Sequence, residues 1–424
     1  MHPKSSYTQR LKAIFGSSLI AYFPLWEPSG TVVTDIGGAS RHGTYGAGAA
    51  APTLAQPGAL NGTCPSFDGG DYASVFTTGL RDAFNGSLGT LMAWVKLTEA
   101  AYTELSYRKV TRITLNTSNR VEIEHSGSNT DTMTFTYRAG GTSKSATLAQ
   151  ISSLWAGWLH LAITWNHDSD RVRGFVNGVQ VGADLTGLGD WTASPLTSAI
   201  IGASSNVPAE PWLGWLQHLA IGNTELTPTQ VSLVYGSFPR KLIVFEGDSR
   251  TTGTGAAVQA LNYPRVAARK LTGNWKCANV GDSGQTVATM LAEISELDIA
   301  DPGLGRVAVL WGGVNDNTTA STMHNRIIAW CNAARAKGYK VIVCTEIDCQ
   351  AASHADWHST NYQALNVLIR ANYTAYADGL ADLGGNANLQ DATNVTYFAA
   401  DKTHLIEAGY AEVAVLVAAA INAL

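Results

Sequence analysis

The chain has 424 residues, of which 45% are hydrophobic and only 14% charged, and its 28 Lys and Arg against 33 Asp and Glu leave a net charge of −5. That length is enough for two or three domains with their own cores, and so apolar a composition excludes a disordered chain. The slight acidity argues against a nucleic-acid partner, and no apolar run is long enough to span a bilayer as a helix.

Residues 13–25 are apolar and follow Arg10 and Lys12, the flank of a secretory leader. The run contains Gly16-Ser17-Ser18, lacks a small-x-small cleavage site and continues into Tyr22-Phe23-Pro24-Leu25-Trp26, so it reads as the first strand of a domain. The expected location is extracellular, or on a virion or other particle, without a cleavable leader. The five cysteines, Cys64, Cys277, Cys331, Cys344 and Cys349, are odd in number and scattered. They form neither a disulfide framework nor a zinc motif, and Cys331 and Cys344 read as small core residues.

Residues 1–238 hold eight of the twelve tryptophans and show short alternating runs broken by Gly, Asn, Asp and Ser, the pattern of an all-β sandwich. The clearest unit is Trp158-Leu159-His160-Leu161-Ala162-Ile163-Thr164-Trp165, a polar turn at residues 166–170, a return through Arg171 to Val176, and the hairpin signal Asn177-Gly178. Two more strands follow around Ile200-Ile201 and over residues 215–221. Thr227-Pro228 then opens a short helix, with Thr227 as cap and Pro228 early. The opening Leu19 to Glu27, the block from Trp158 to Val181, and Trp212-Leu213-Gly214-Trp215 with Leu226-Thr227-Pro228 resemble a laminin-G-like, concanavalin-A-type lectin domain. The resemblance implies a jelly-roll sandwich of the kind that holds sugars, proteins or calcium. Asp68-Gly69-Gly70-Asp71 could coordinate calcium through oxygen ligands or be a plain turn; no other cofactor is expected. Trp155, Trp191 and Trp212 could stack on sugars, though core packing is the commoner use of such residues. His160 and His218 lie within strands and read as structural.

From residue 239 to 424 the pattern alternates strand and helix. Leu242-Ile243-Val244-Phe245, Val307-Ala308-Val309-Leu310-Trp311 and Val341-Ile342-Val343-Cys344 are apolar runs suited to a parallel sheet buried on both faces. Amphipathic stretches occupy residues 287–297, 323–337, 362–376 and 406–424. This order implies a three-layer α/β, flavodoxin-like domain whose chemistry lies in the loops past the carboxyl ends of the strands. Four loops carry suitable groups: Gly247-Asp248-Ser249, Gly281-Asp282-Ser283-Gly284, Gly312-Gly313-Val314-Asn315-Asp316, and Asp401-Lys402-Thr403-His404.

The residue types fit acyl transfer. Ser249 would attack, His404 would take its proton, and Asp401 would fix the imidazole tautomer. The backbone N–H groups of Ser249 and Gly284 and the Asn315 amide would receive the oxyanion. Simpler readings exist for each: Ser249 as a helix start, Asp401 and Thr403 as caps of the last helix, Asn315-Asp316 as a β-turn, and His324, His354 or His358 as rival bases. Residues 351–361 form a polar loop that could line the pocket.

The four blocks, in this order, resemble the SGNH (GDSL-type) hydrolases. The resemblance assigns the nucleophile to Ser249, the oxyanion hole to Ser249, Gly284 and Asn315, and the Asp-x-x-His pair to Asp401 and His404. Gly281 competes with Gly284, and Arg250 departs from the longer consensus after the serine. Gly281-Asp282-Ser283-Gly284 also matches the nucleophile loop of chymotrypsin-like proteases, but those are double β-barrels with the histidine upstream. The expectation is a metal-free serine esterase acting on a carbohydrate ester, most plausibly O-acetyl groups of a polysaccharide, beside a lectin-like module. A lipid or thioester hydrolase and a non-catalytic glycan-binding protein are the alternatives.

Overall fold

The computed structural model describes residues 3–59, 62–154, 157–192, 194–238, 240–299, 303–354, 357 and 361–424. The chain divides into two compact units, residues 1–152 with 158–239, and residues 153–157 with 240–424.

The first unit is a sandwich of two eight-stranded antiparallel sheets. One sheet has Leu88–Leu97 and Leu159–Asn166 at its centre, with Leu213–Gly222 beside them. These strands are buried along nearly their whole length rather than alternately. Met92, Trp94, Ala162 and Phe175 on one face pack with Tyr7, Leu11 and Phe15 of the helix Pro3–Phe15 and with Val231 and Val234 of the helix Pro228–Gly236. Residues 13–15 thus finish a helix, and the first strand is Leu19–Phe23. Tyr7, Leu11 and Phe15 recur every four residues, which puts them on one helix face.

Local signals act as their chemistry requires. Asn177 and Gly178 take φ of 50° and 78°, the two left-handed residues of a type I′ hairpin. Thr227 and Gln230 form a reciprocal capping box. Asp68 and Asp71 close their turn internally: Asp71 Oδ2 accepts from Asp68 N at 2.7 Å and Asp68 Oδ1 from Gly70 N at 2.9 Å. Among the described residues no group of three or more His, Cys, Asp or Glu is placed to hold a metal. Trp212 is fully buried and Trp191 packs on Phe84 and Tyr137; Trp155 lies outside the described residues. No cysteine is in a disulfide, and Cys331 and Cys344 sit in the cores of the second unit.

The second unit is a five-stranded parallel sheet. Its strands are β1 (Arg240–Gly247), β2 (Trp275–Asn279), β3 (Gly303–Trp311), β4 (Lys340–Cys344) and β5 (Gly379–Ala381), in the spatial order β2-β1-β3-β4-β5. Its helices are α1 (Ser249–Thr252), α2 (Tyr263–Lys270), α3 (Val287–Ala292), α4 (Ala320–Ala336), α5 (Tyr362–Asn372) and α6 (Glu407–Asn422). Ile243 and Phe245 pack with α2 and α6, and Leu242 and Val244 with α3, α4 and α5. The strand alternation therefore feeds two separate cores, the three-layer arrangement. No helix among the described residues is long and apolar enough to cross a membrane.

Candidate active site

The sheet order reverses direction between β1 and β3, and in such sheets the crevice at that point, past the carboxyl ends of the strands, takes the ligand. β1 ends at Gly247, where a Cβ would overlap Thr251 Oγ1 and the carbonyl oxygen of Trp311 at the end of β3. Only glycine permits this exit. Asp248 is the N-cap of the one-turn helix α1 and accepts from Arg250 N at 2.9 Å. Ser249 is the first residue of that turn, so the helix start and the half-buried hydroxyl are one feature. Gly253, with φ of 93°, ends the turn.

The loop before α6 brings the second group. His404 Nε2 lies 2.8 Å from Ser249 Oγ, and His404 Nδ1 lies 2.6 Å from Asp401 Oδ2. A carboxylate facing Nδ1 fixes the proton there, which leaves Nε2 to accept from the serine hydroxyl. Asp401 Oδ1 also accepts from Thr403 N at 2.9 Å and His404 N at 3.0 Å. Burial tends to raise the Asp401 carboxyl, but the hydrogen bonds from His404 and Thr403 outweigh it and hold the group below its ordinary value. Asp401 does not cap α6, whose N-cap is Ile406 without a side-chain bond.

The two glycines of the second block differ in what their N–H groups do. Gly281 N donates to Asn279 Oδ1 at 3.0 Å. Gly284 takes φ of 83°, and among the described residues its N–H has no protein acceptor. The Ser249 N–H likewise has none. Asn315 Nδ2 donates one hydrogen to Gln285 O at 3.0 Å, and among the described residues its second hydrogen has no acceptor. Asp316 closes a β-turn through its N–H to Gly313 O at 2.9 Å. Its carboxylate accepts from Val287 N at the head of α3 and from Arg326. These bonds tie the second and third blocks together. Asp282 N donates to Gly247 O at 3.0 Å, which ties the second block to the first.

A cavity of about 400 Å³ adjoins these groups. Gly284 and Asn315 line it, whereas Ser249, Asp401 and His404 do not. Amides and hydroxyls of Asn315, Asn317, Asn361, Thr318 and Ser353 share its wall with the apolar Val314, Met323, Ala352 and Trp357. His354 also lines it and bonds Ser353 Oγ through Nδ1 at 2.8 Å. Partial burial, then the charges of Arg250 and His404, push His354 below its ordinary value. Of the other rival bases, His324 bonds Tyr376 OH at 3.1 Å on the buried side of α4, and His358 lies outside the described residues. Ser283 is exposed, with no histidine partner among the described residues.

The reading of the residues missed a buried ionic network beneath the site. Arg250, only 1% exposed, reaches Glu346 Oε2, Thr403 O and Asp348 O. Burial pushes the Glu346 carboxyl up against the pull of Arg250. The available signal was a pair of acids, Glu346-x-Asp348, directly after the apolar run of β4.

A serine just past the end of β1, facing a His–Asp pair over a parallel three-layer sheet, has the layout of a serine hydrolase. Residues 245–412 match the model of the GDSL-like Lipase/Acylhydrolase family, and residues 67–232 that of the Concanavalin A-like lectin/glucanases superfamily. The chain therefore carries a C-terminal GDSL-like acylhydrolase domain, of the ester-hydrolysing serine class, behind an N-terminal concanavalin A-like domain. Similar solved structures include domain 4 of AbnA, a GH43 extracellular arabinanase from Geobacillus stearothermophilus in complex with arabinotriose, at 19% identity and a TM-score of 0.39, covering 51% of this chain and 98% of that one. The binding domain of botulinum neurotoxin serotype D matches at 15% identity and a TM-score of 0.39, covering 53% of each chain. No curated protein matches the chain.

Proposed function

We propose that the protein is a serine esterase that removes O-acetyl groups from a carbohydrate, with Ser249, His404 and Asp401 as its catalytic triad. The observation that carries this reading is the hydrogen-bonded line from Ser249 Oγ through His404 to Asp401, beside three N–H groups that lack full protein partners. Ser249 Oγ attacks the ester carbonyl as its proton passes to His404 Nε2. The oxyanion takes hydrogen bonds from Ser249 N, Gly284 N and Asn315 Nδ2. Collapse of the intermediate expels the alcohol, which receives the proton from His404, and leaves an acyl-serine. Water, deprotonated by His404, then releases the acid and restores the serine.

The cavity supports the substrate class. An acetyl group alone would leave most of about 400 Å³ empty, and the three Asn amides and the Thr318 and Ser353 hydroxyls of its wall suit a polyhydroxyl ring better than an alkyl chain. The concanavalin A-like unit would hold the same polysaccharide and raise its local concentration at the site. Location outside the cell or on a particle fits such a substrate.

The test compares wild type with Ser249→Ala on nitrophenyl acetate, nitrophenyl octanoate and acetylated xylan. Acetate release that falls by about 10⁴-fold or more in the variant, with little octanoate turnover, is the expected result. Preference for octanoate would replace the glycan reading with a lipid hydrolase. Binding of the polysaccharide without turnover of any ester would leave a lectin.

A further inference from the structure

Arg250 follows the proposed nucleophile directly, yet its side chain is turned away from solvent and into the protein. A guanidinium has five N–H donors in a fixed plane, and here they are divided among separate segments. Nε donates to Thr403 O at 3.0 Å, Nη1 to Glu346 Oε2 at 3.1 Å and Nη2 to Asp348 O at 3.2 Å. The face of the group lies over the Trp311 ring, 5.7 Å from its centroid. One side chain thus joins α1, the end of β3, the loop after β4 and the loop before α6.

The Thr403 contact matters most. The peptide linking Thr403 to His404 is held at both ends: its oxygen by Arg250 Nε, and its N–H by Asp401 Oδ1 at 3.0 Å. The next carbonyl, His404 O, accepts from Ala399 N at 2.9 Å. The backbone from which the imidazole hangs is therefore fixed to the residue adjacent to Ser249.

We propose that Arg250 is a positioning residue that sets the distance between His404 and Ser249, and that its effect on the chemical step runs through His404. The proposal rests on the reading of Ser249 as nucleophile and His404 as base. A base displaced by about 1 Å loses on the order of 100-fold in rate, while a substrate that never touches Arg250 should bind as before.

The test uses the full chain. Arg250→Met alone would strand the buried Glu346 carboxylate, so it is paired with Glu346→Gln; Arg250→Lys keeps the charge but cannot reach three acceptors in one plane. Three quantities are measured: kcat and KM for nitrophenyl acetate, the rate of covalent labelling of Ser249 by a fluorophosphonate, and the thermal melt. The paired variant is expected to fold but to melt below wild type, since Thr403 O and Asp348 O lose their donor, and to lose about 100-fold in both kcat and labelling rate, with KM changed less than about threefold. Arg250→Lys should lose about tenfold, and it carries the test if the paired variant does not fold. In a His404→Ala background the paired changes should have no further effect, because the group they position is gone. A folded Arg250 variant that labels and turns over at the wild-type rate would overturn the proposal, as would an equal additional loss in the His404→Ala background. If wild-type Ser249 is neither labelled nor active on any ester, the reading of the site itself falls, and the proposal with it.

Discussion

Asn315 commits one amide hydrogen to Gln285 O and leaves the other for the proposed oxyanion. Asn315→Ala should lower kcat by about 10²–10³-fold with KM little changed, the usual effect of removing one such donor. Steady-state kinetics on nitrophenyl acetate checks this, and an unchanged kcat would remove Asn315 from the site. Asp401 differs from the acid of many triads in being 51% exposed. Water screens its charge, so its electrostatic share is smaller, and its two backbone acceptances make it a holder of the loop as well. Asp401→Asn should cost about 10²-fold in kcat, less than the roughly 10⁴-fold seen where the acid is buried. A loss as large as that from Ser249→Ala would show that exposure does not weaken it.

Gly247 shows how an element rather than a side chain can carry a site. Its position forces β1 to turn against the Trp311 carbonyl, and the turn presents Ser249. Gly247→Ala puts a methyl group against backbone that cannot move without disturbing β3. The expected cost is about 1–3 kcal/mol, or roughly 2–4 °C in melting temperature per kcal/mol for a domain of this size, together with loss of Ser249 labelling. A variant that melts and labels like wild type would refute this account of the turn. The same elements show what was legible beforehand. The β1, β3 and β4 cores announced themselves as apolar runs because a parallel sheet buries both faces. The Gly247 and Gly312 blocks stood out because each ends such a run, whereas the Gly281 block follows a strand with one buried residue and the Asp401 block showed only by its place before the last helix. Helix α2 escaped notice although Asn262 and Pro264 mark its start, because Arg265, Arg269 and Lys270 mask its apolar face. The helix Pro3–Phe15 escaped too: its buried Tyr7, Leu11 and Phe15 are spaced among charges that suggested a leader flank. Strand β5 has three residues, too few for any period. The Arg250 network was out of reach for a different reason. Arginine is almost never fully buried unless paired, and two of its three partners are backbone carbonyls, at Asp348 and Thr403, which no residue type advertises.

The two units carry buried titratable groups that respond to pH in opposite senses. In the sandwich, His160 is fully buried beside Trp94 and Tyr235, and neither ring nitrogen has a hydrogen-bond partner. Burial pushes its pKa down to about 3, against about 6.5 in an unfolded chain. Below pH 6.5 the unfolded state takes up a proton that the folded state refuses, so stability is present above 6.5 and is lost as pH falls toward 3. The slope is about 1.4 kcal/mol per pH unit. In the hydrolase unit, Glu246 is 1% exposed at the end of β1, and burial pushes its carboxyl up to about 8 from 4.5. Here the unfolded state releases a proton that the folded state keeps, so stability is full below 4.5 and is lost as pH rises toward 8, with a slope of similar size. Unfolding followed by hydrogen exchange, resolved by unit between pH 4 and 9, should show these opposing limbs. Single groups are isolated by comparison with variants: His160→Leu should flatten the acid limb of the sandwich, and Glu246→Gln, which keeps an acceptor for Gly247 N, should remove only part of the alkaline limb of the hydrolase unit, because burial also pushes the Glu346 carboxyl up to about 8. Limbs that survive these substitutions unchanged would mean that other groups set the pH dependence. If both hold, mild acid weakens the proposed glycan-holding unit while leaving the Glu246 contribution intact, so that polysaccharide binding should fail at a higher pH than the fold of the esterase unit does.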